Sequence, residues 1–305
     1  MSETYRELFE EGKQELEAVL PWDAALDARL LLEEVCGTNL QTLLVYPEYA
    51  VEDEKASQYR QWIKRRKNRE PLAMILGKWD FMGLTFMVTK DTLIPEQDTE
   101  VLVETALALR KDEDSVVANK KIPGKYLGKS EDETTFRILD LGTGTGCILL
   151  SLVHEWNDAK GIGTDISEEA LSCARENAQN LNLSLRTQFL QGDLWDALNG
   201  EEKTFHLIVS NPPYIPTSMI PSLEPEVKYG EPRIALDGGE DGLVFYSRIL
   251  KRALVRLKKY GVILLEAGLD EAKQIQIMME EAGFKHVFVV PDYEGRDRVV
   301  VGRKE

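Results

Sequence analysis

The run SNPPYIP, residues 210–216, follows the apolar stretch FHLIV and contains no glycine. A chain that only had to turn there favours Gly, Asn-Gly or Asp-Gly. Consecutive prolines fix two φ angles and remove two N–H donors, so Pro212 and Pro213 leave that backbone only carbonyl oxygens to offer. Asn211 adds a side-chain carbonyl beside them, and Tyr214 adds a flat ring. Together these residues make a stiff, acceptor-rich pocket next to an aromatic plate. Such a pocket suits a planar group that carries an NH2. The lone pair of an amide or exocyclic amine nitrogen is delocalised, which makes it a poor nucleophile. Two acceptors, the Asn211 side-chain oxygen and the Pro212 backbone oxygen, can hold its two N–H groups so that the lone pair points at an electrophile. Tyr214 can stack on the planar group.

A second constellation lies upstream. In DLGTGTGCILL, residues 140–150, Gly142, Gly144 and Gly146 alternate with Thr143 and Thr145 between a strand and a helix. Glycines there let the backbone turn tightly and approach a ligand. The next strand ends in GTDIS, which places Asp165 where a carboxylate accepts the hydroxyls of a ribose. The third ends in QGDLW, so Asp193, Leu194 and Trp195 can flank an adenine ring. Read alone, Asp165 is a helix N-cap; as one of a series of strand ends it reads as a ribose acceptor. Asp140 precedes the glycines and repels phosphate, but it suits a sulfonium or an amino group. The expected cofactor is therefore S-adenosyl-L-methionine and not NAD.

These loops need a frame. RILDL, GIGTD, LRTQFLQ, FHLIVS and GVILLEA read as strands, separated by the helices CILLSLVHEW, SEEALSCARENAQNL and LVFYSRILKRALVRLKKY. Short buried strands alternating with helices predict a mostly parallel, doubly wound α/β sheet, a Rossmann-like fold. After the helix DEAKQIQIMMEEAG, HVFVVPDYEGRDRVVVGR reads as a closing antiparallel hairpin, as in methyltransferases that use S-adenosyl-L-methionine. Residues 1–76 carry apolar residues at helical spacing only, in RELFEEGKQELEAVL, DAALDARLLLEEVCG and EKASQYRQWIKRRKN, and predict a small all-α domain. Residues 77–98 alternate around Met82-Gly83 as a β-hairpin linker, and 99–305 form the catalytic domain, opening on the helix TEVLVETALALR. The polar stretch at about 111–135 lacks periodicity and reads as a mobile surface insertion.

Composition narrows the function classes. The chain has 305 residues, 43% hydrophobic and 30% charged, and a net charge of −16. A chain this acidic repels a phosphate backbone unless a local basic stripe offsets the charge. The dense basic cluster, WIKRRKNRE, reads as a solvated helix face. Cys36, Cys147 and Cys173 are far apart and read as buried thiols in a reducing compartment. Like the scattered His154, His206 and His286, they offer no metal-ligand spacing. The acidic start lacks the pattern of a signal peptide, and no apolar run spans a membrane. A cytoplasmic protein without a structural metal is expected.

With these motifs in place, the chain resembles the release factor glutamine methyltransferases. The resemblance covers nearly the whole length: the helical start, PLAMILGKWDFMGLTF, LIPEQDTE, DLGTGTGCI, SNPPYIP, EPRIALDGGEDGL and GRDRVVVGR. EPRIALDGGEDGL discriminates most, because nucleic-acid amino-methyltransferases with NPPY generally lack it. The resemblance implies methylation of the side-chain amide N5 of the glutamine in the Gly-Gly-Gln loop of peptide-chain release factors, with S-adenosyl-L-homocysteine as product. It implies that residues 142–146, Asp165 and the Leu194 region hold the cofactor, with Asn211 bordering it, and that Asn211, Pro212, Pro213 and Tyr214 hold the glutamine. Because the cofactor motifs all lie after Arg137, the helical domain is expected to recognise the release factor; a monomer with no nucleic-acid substrate and no membrane association is expected. One position departs from the family: the usual IPRP reads Ile94-Pro95-Glu96-Gln97, so Glu96 replaces an Arg. The competing readings are a nucleic-acid adenine-N6 methyltransferase and a cofactor-binding scaffold without activity. The acidic charge opposes the first, and the intact SNPPY opposes the second.

Overall fold

The structure is a computed structural model and describes residues 3–128, 134–198 and 204–305. It divides into two compact units. The first runs up to Lys78 and also takes in Glu224–Gly230, from much later in the chain. Its helices are α1 (Tyr5–Glu17), α2 (Ala24–Cys36), α3 (Leu40–Val45), α4 (Asp53–Lys67) and α5 (Leu72–Leu76). Thr4 and Glu7 close a capping box at the start of α1, which satisfies two otherwise orphan N–H groups. Gly37, at φ 64°, ends α2 in the left-handed conformation that favours glycine. Leu8, Leu16, Leu31, Leu32 and Tyr59 are fully buried between the three long helices, each stabilising the bundle by about 1.5–3 kcal/mol. The short α3 and α5 lie outside the periodic stretches and have too few turns to show a pattern.

The basic face of α4 is matched inside this unit. Arg60 pairs with Glu3 and Glu11, Arg65 with Glu70, and Lys67 with Glu15. Arg66, 7% exposed, holds Asp27 at 2.6 Å and Glu226 at 3.1 Å. Arg69 reaches Glu224 at 3.0 Å and Glu226 at 2.6 Å. These pairs hold the 224–230 segment in the unit.

The second unit opens at Trp79, within β1 (Lys78–Phe81), which pairs with β2 (Leu84–Met87) in a hairpin whose two turn residues, Met82 at φ 51° and Gly83 at φ 72°, give the twist such turns require. Helix α6 (Gln97–Arg110) follows. Within the polar stretch after it, residues 115–122 form a hairpin where the sequence showed no periodicity. Strands β3 (Ser115–Val117) and β4 (Lys120–Ile122) pair around Ala118 and Asn119, both at positive φ. Val117, Ile122 and Leu127 pack into the core; residues 129–133 of that stretch lie outside the described residues.

Next come β5 (Phe136–Leu141), α7 (Cys147–Glu155), β6 (Ala159–Asp165), α8 (Glu168–Asn180), β7 (Thr187–Gln191) and β8 (Phe205–Ser210). After α9 (Pro225–Gly230) and α10 (Arg233–Leu236), the chain continues through α11 (Val244–Arg256), β9 (Leu257–Glu266), α12 (Ala272–Glu281), β10 (Lys285–Pro291) and β11 (Asp297–Arg303). Among the described residues the central sheet has seven strands, in the order β10-β11-β9-β8-β5-β6-β7, and β11 runs antiparallel to its neighbours. The sheet is buried on both faces by helices, as a mostly parallel sheet must be. Helix α11 stops at Arg256, four residues before the apolar periodicity suggests, and residues 257–260 begin β9 instead. Leu257 there opposes Phe205, and Tyr260 adopts φ 63° and donates its N–H to Lys304. Cross-strand pairing overrides local helix propensity. Cys147 and Cys173 are buried free thiols, whereas Cys36, the last residue of α2, is only half-buried.

Candidate active site

Strands β5 and β8 are parallel neighbours, with β6 and β7 laid outward on one side and β9 on the other. The chain order reverses between them, and ligands in such sheets bind outside the strands' carboxyl ends at that reversal. A cleft opens there, lined by residues 141–145 at the end of β5, 165–167 at the end of β6, 192–194 after β7 and 211–213 after β8. Four strand ends singled out from sequence thus meet in one cavity. Further lining comes from residues 91–96 and Thr99, which fall largely in the LIPEQDTE stretch, and from Phe245 and Arg248 of α11, which sequence reasoning passed over.

The glycines of the first loop divide in role. Gly142 (φ 75°) and Gly144 (φ 54°) line the cleft, and a Cβ on either meets no atom within 4 Å, so the space before them is open. Gly146 does not line it; a Cβ there meets Leu150 at 3.1 Å and Ala174 at 3.3 Å, so its bareness lets α7 pack against α8. Thr143 and Thr145 are buried, and the Thr143 hydroxyl donates to Asp140 Oδ2 at 2.6 Å. Asp140 is fully buried beneath the loop, with Oδ1 unpartnered among the described residues. Burial pushes its carboxyl up to about 7, aided by Asp165 and opposed by Thr143.

Asp165 accepts from the Gly144 N–H at 2.9 Å and from the Ser167 N–H at 3.0 Å. The N-cap of α8 is Ser167, whose hydroxyl accepts from Ala170, so capping does not account for Asp165. Each Asp165 oxygen retains acceptor capacity beyond its one backbone bond, and the carboxylate lines the cleft. Asp193 also lines it and pairs with Arg248 at 2.7 Å. Leu194 is buried and held at φ 52°, a strained conformation for a branched residue. Trp195 is not part of the cleft lining: it sits in the core, donating its indole N–H to the carbonyls of Arg248 and Ile249.

Asn211, Pro212 and Pro213 line the cleft beside the glycine loop. The Asn211 Nδ2 donates to Thr99 Oγ1 at 3.1 Å, and Oδ1 has no hydrogen-bond partner among the described residues, which leaves it as the open face of the amide. Tyr214 is not among the lining residues; its ring lies against Gly268, where a Cβ would meet Cδ2 at 2.9 Å. Burial raises its phenol well above the usual range, with Glu266 and Glu96 adding to the effect.

The EPRIALDGGEDGL segment braces this run. The Ile215 N–H donates to the Leu236 carbonyl and the Ile215 carbonyl accepts from Gly238. A Cβ on Gly238 would meet the Tyr214 backbone at 2.7 Å, and one on Gly242 the Tyr214 carbonyl oxygen at 2.4 Å. Those two positions admit only glycine without displacing the Tyr214 backbone. The same segment brings Pro232, Ile234 and Ala235 to the cleft wall.

Comparison with known proteins agrees with this construction. Residues 7–77 match the PrmC N-terminal domain family, and residues 132–292 match a methyltransferase domain family. The release factor glutamine methyltransferase of Caulobacter vibrioides is 39% identical over 280 residues, covering 92% of this chain and 89% of that protein. That of Agrobacterium fabrum is 38% identical over 293 residues, covering 96% and 95%. Among solved structures, the delta-N METTL16 methyltransferase domain superposes with a TM-score of 0.51 at 18% identity, covering 83% of this chain and 96% of that one, a likeness of fold. The chain belongs to the release factor glutamine methyltransferase family.

Proposed function

We propose that the protein transfers a methyl group from S-adenosyl-L-methionine to the side-chain amide N5 of the glutamine in the Gly-Gly-Gln loop of peptide-chain release factors. The observation that carries this reading is the free Asn211 Oδ1 face, set in one cleft with the glycine loop and Asp165. The residues present fit the cofactor. Gly142 and Gly144 leave open space, Asp165 retains acceptor capacity for ribose hydroxyls, and Leu194 with Phe245 offers apolar surface for a flat base. When bound, S-adenosyl-L-methionine supplies an electrophilic methyl group on a sulfonium. Asn211 Oδ1 and the Pro212 carbonyl accept the two N–H groups of the substrate amide and turn its lone pair toward the cofactor side of the cleft. That geometry weakens amide conjugation before transfer and favours the transition state over the ground state. No strong base is needed before attack, because the methylated nitrogen becomes acidic and loses its proton readily. Pro213 stiffens the run, and Tyr214 acts through its backbone and its packing.

The helical unit recognises the release factor, and the protein works as a cytoplasmic monomer without a nucleic-acid substrate. No helix among the described residues is long and apolar enough to cross a membrane. Incubation with labelled S-adenosyl-L-methionine and either an intact release factor or DNA tests the reading. Mass spectrometry should find one added methyl on the Gly-Gly-Gln glutamine. Transfer to adenine in DNA, with none to the release factor, would replace this reading with that of an adenine-N6 methyltransferase.

A further inference from the structure

Two stretches singled out in the sequence, LIPEQDTE and GRDRVVVGR, lie near opposite ends of the second unit and meet at Arg298. Arg298, in β11, is 4% exposed. Its planar guanidinium reaches three segments at once. Nη2 lies 2.8 Å from Asp98 in the first turn of α6 and 3.3 Å from Asp292 in the turn between β10 and β11. Nη1 donates to the Ala267 carbonyl, just after β9, at 3.2 Å. A buried cation is tolerated only where such partners surround it. Two of the three are themselves fixed. Asp292 Oδ1 accepts from the Glu294 and Arg296 N–H groups, and the Ala267 N–H donates to the Arg298 carbonyl at 2.8 Å. The guanidinium therefore has a rigid seat on the closing hairpin, and Asp98 is the partner it holds on another element.

The first turn of α6 needs such a hold. Its N-cap residue, Glu96, makes no side-chain cap bond, so the turn lacks the usual device against fraying. Bonds from outside the helix pin it instead: Glu100 accepts from the Met82 N–H at 2.6 Å, and Asp98 is held by Arg298. Between these two anchors sits Thr99, 2% exposed, whose hydroxyl accepts from Asn211 Nδ2 at 3.1 Å. That bond stands near the long end of the usual range, so a shift of about half an ångström breaks it. Thr99 follows Asp98 directly in the chain, and any movement of the Asp98 backbone is passed to the hydroxyl.

We infer that Arg298 is a positioning residue for methyl transfer: through its ion pair with Asp98 it holds the first turn of α6, which keeps the Thr99 hydroxyl on Asn211 Nδ2 and Oδ1 toward the substrate. The inference rests on the acceptor role proposed for Asn211. The competing role for Asp98 is purely helical, since a carboxylate in the first turn is favourable beside a helix N-terminus. That role asks nothing of Thr99, and the difference is measurable.

Asp98→Asn removes the ionic link to α6 and leaves Arg298 its seat on Asp292 and Ala267, whereas Asp98→Glu keeps the charge. These variants, Thr99→Val, and the double variant Asp98→Asn with Thr99→Val should be assayed at full length on an intact release factor. Cofactor affinity by calorimetry and melting temperature are measured alongside. Asp98→Asn should lower kcat about fivefold or more, with KM for the release factor and cofactor affinity within about twofold of wild type. Asp98→Glu should retain most of kcat. Thr99→Val should lower kcat at least as far as Asp98→Asn. Adding Asp98→Asn to Thr99→Val should then change kcat by less than about twofold, the non-additivity of a residue that acts through another. Normal kcat in Asp98→Asn or Thr99→Val overturns the inference. Losses that multiply in the double variant also overturn it and leave Asp98 its helical role alone. So does a loss shared by kcat, cofactor affinity and melting temperature that Asp98→Glu shows equally. Absence of methyl transfer by the wild type would overturn the functional reading itself, a separate outcome.

Discussion

The buried Ser210 hydroxyl donates to the Leu141 carbonyl at 2.6 Å, joining the strand end that carries Asn211 to the one that opens the glycine loop. The β5–β8 ladder runs from Ile138 opposite Leu207 to Asp140 opposite Val209 and then stops. Ser210 extends the attachment one residue further, where the two loops begin to diverge. It therefore fixes how far the acceptor pair stands from the cofactor side. Ser210→Ala should cost about 1 kcal/mol of stability and lower kcat more than it weakens cofactor binding. Denaturant unfolding and steady-state kinetics measure both, and an unchanged kcat would remove Ser210 from any role in spacing the loops.

Asp165→Ala should weaken S-adenosyl-L-methionine binding by about tenfold or more, the worth of one or two hydrogen bonds to a charged acceptor. The substitution also frees the Gly144 and Ser167 N–H groups that the carboxylate now holds. Calorimetry on the folded variant decides: unchanged affinity excludes Asp165 from the site.

Asn211→Ala should reduce kcat by about a hundredfold or more while cofactor affinity stays close to wild type, because a misplaced nucleophile loses orientation and not binding. Near-normal turnover would refute the acceptor-pair mechanism.

Stability should fall as pH rises from about 5 to about 8. Burial is the largest cause that raises Asp140 to about 7 and Glu231 and Glu266 each to about 8. Asp165 adds to the effect on Asp140, and Glu96 to the effect on the other two. Thr143, the Ile94 backbone, and Thr99 with Arg298 oppose it at the three sites in turn. In the unfolded chain these groups ionise near their ordinary values, 3.8 for Asp and 4.5 for Glu. Above those values and below the raised ones, the folded state binds more protons than the unfolded state, so each step up in pH favours unfolding. A denaturant midpoint that stays flat or climbs across that range contradicts the three raised carboxyls.

Removing residues 1–76 should leave cofactor binding in place while kcat/KM on an intact release factor drops well below that of the full chain. Every element that lines the cleft lies at residue 91 or later. Equal kcat/KM for both forms would refute a recognition role for the helical unit.

Much of this protein was determined by local sequence. Gly142 and Gly144 declare an open loop because their requirement, freedom at positive φ, is a property of single residues. Pro212 and Pro213 declare an acceptor-rich edge for a similar reason: what they remove from the backbone does not depend on their neighbours. The strand-helix alternation carries the sheet, because burial on both faces leaves a continuous apolar signature in each strand. The hairpin at residues 115–122 escaped this reading because Val117 and Ile122 are separated by lysines in strands of three residues, too short to set a period.

Only the tertiary structure decided the rest. Thr99 and Asn211 are 112 residues apart, and nothing in TEVLVETALALR marks its first residue as the partner of an amide. Gly146 and Trp195 carry the look of site residues, yet packing draws one between two helices and the other into the core. Tyr214 reads as a stacking plate, but Gly238, Gly242 and Gly268 close on its backbone and ring from later in the chain. Glu266 looks like the polar end of an apolar strand until the sheet sets it, fully buried, beside Asn211. The physical reason is the same in each case. A residue's type states what bonds it can make, whereas which bonds remain unmade, and where they point, depends on segments brought together only by closing the sheet.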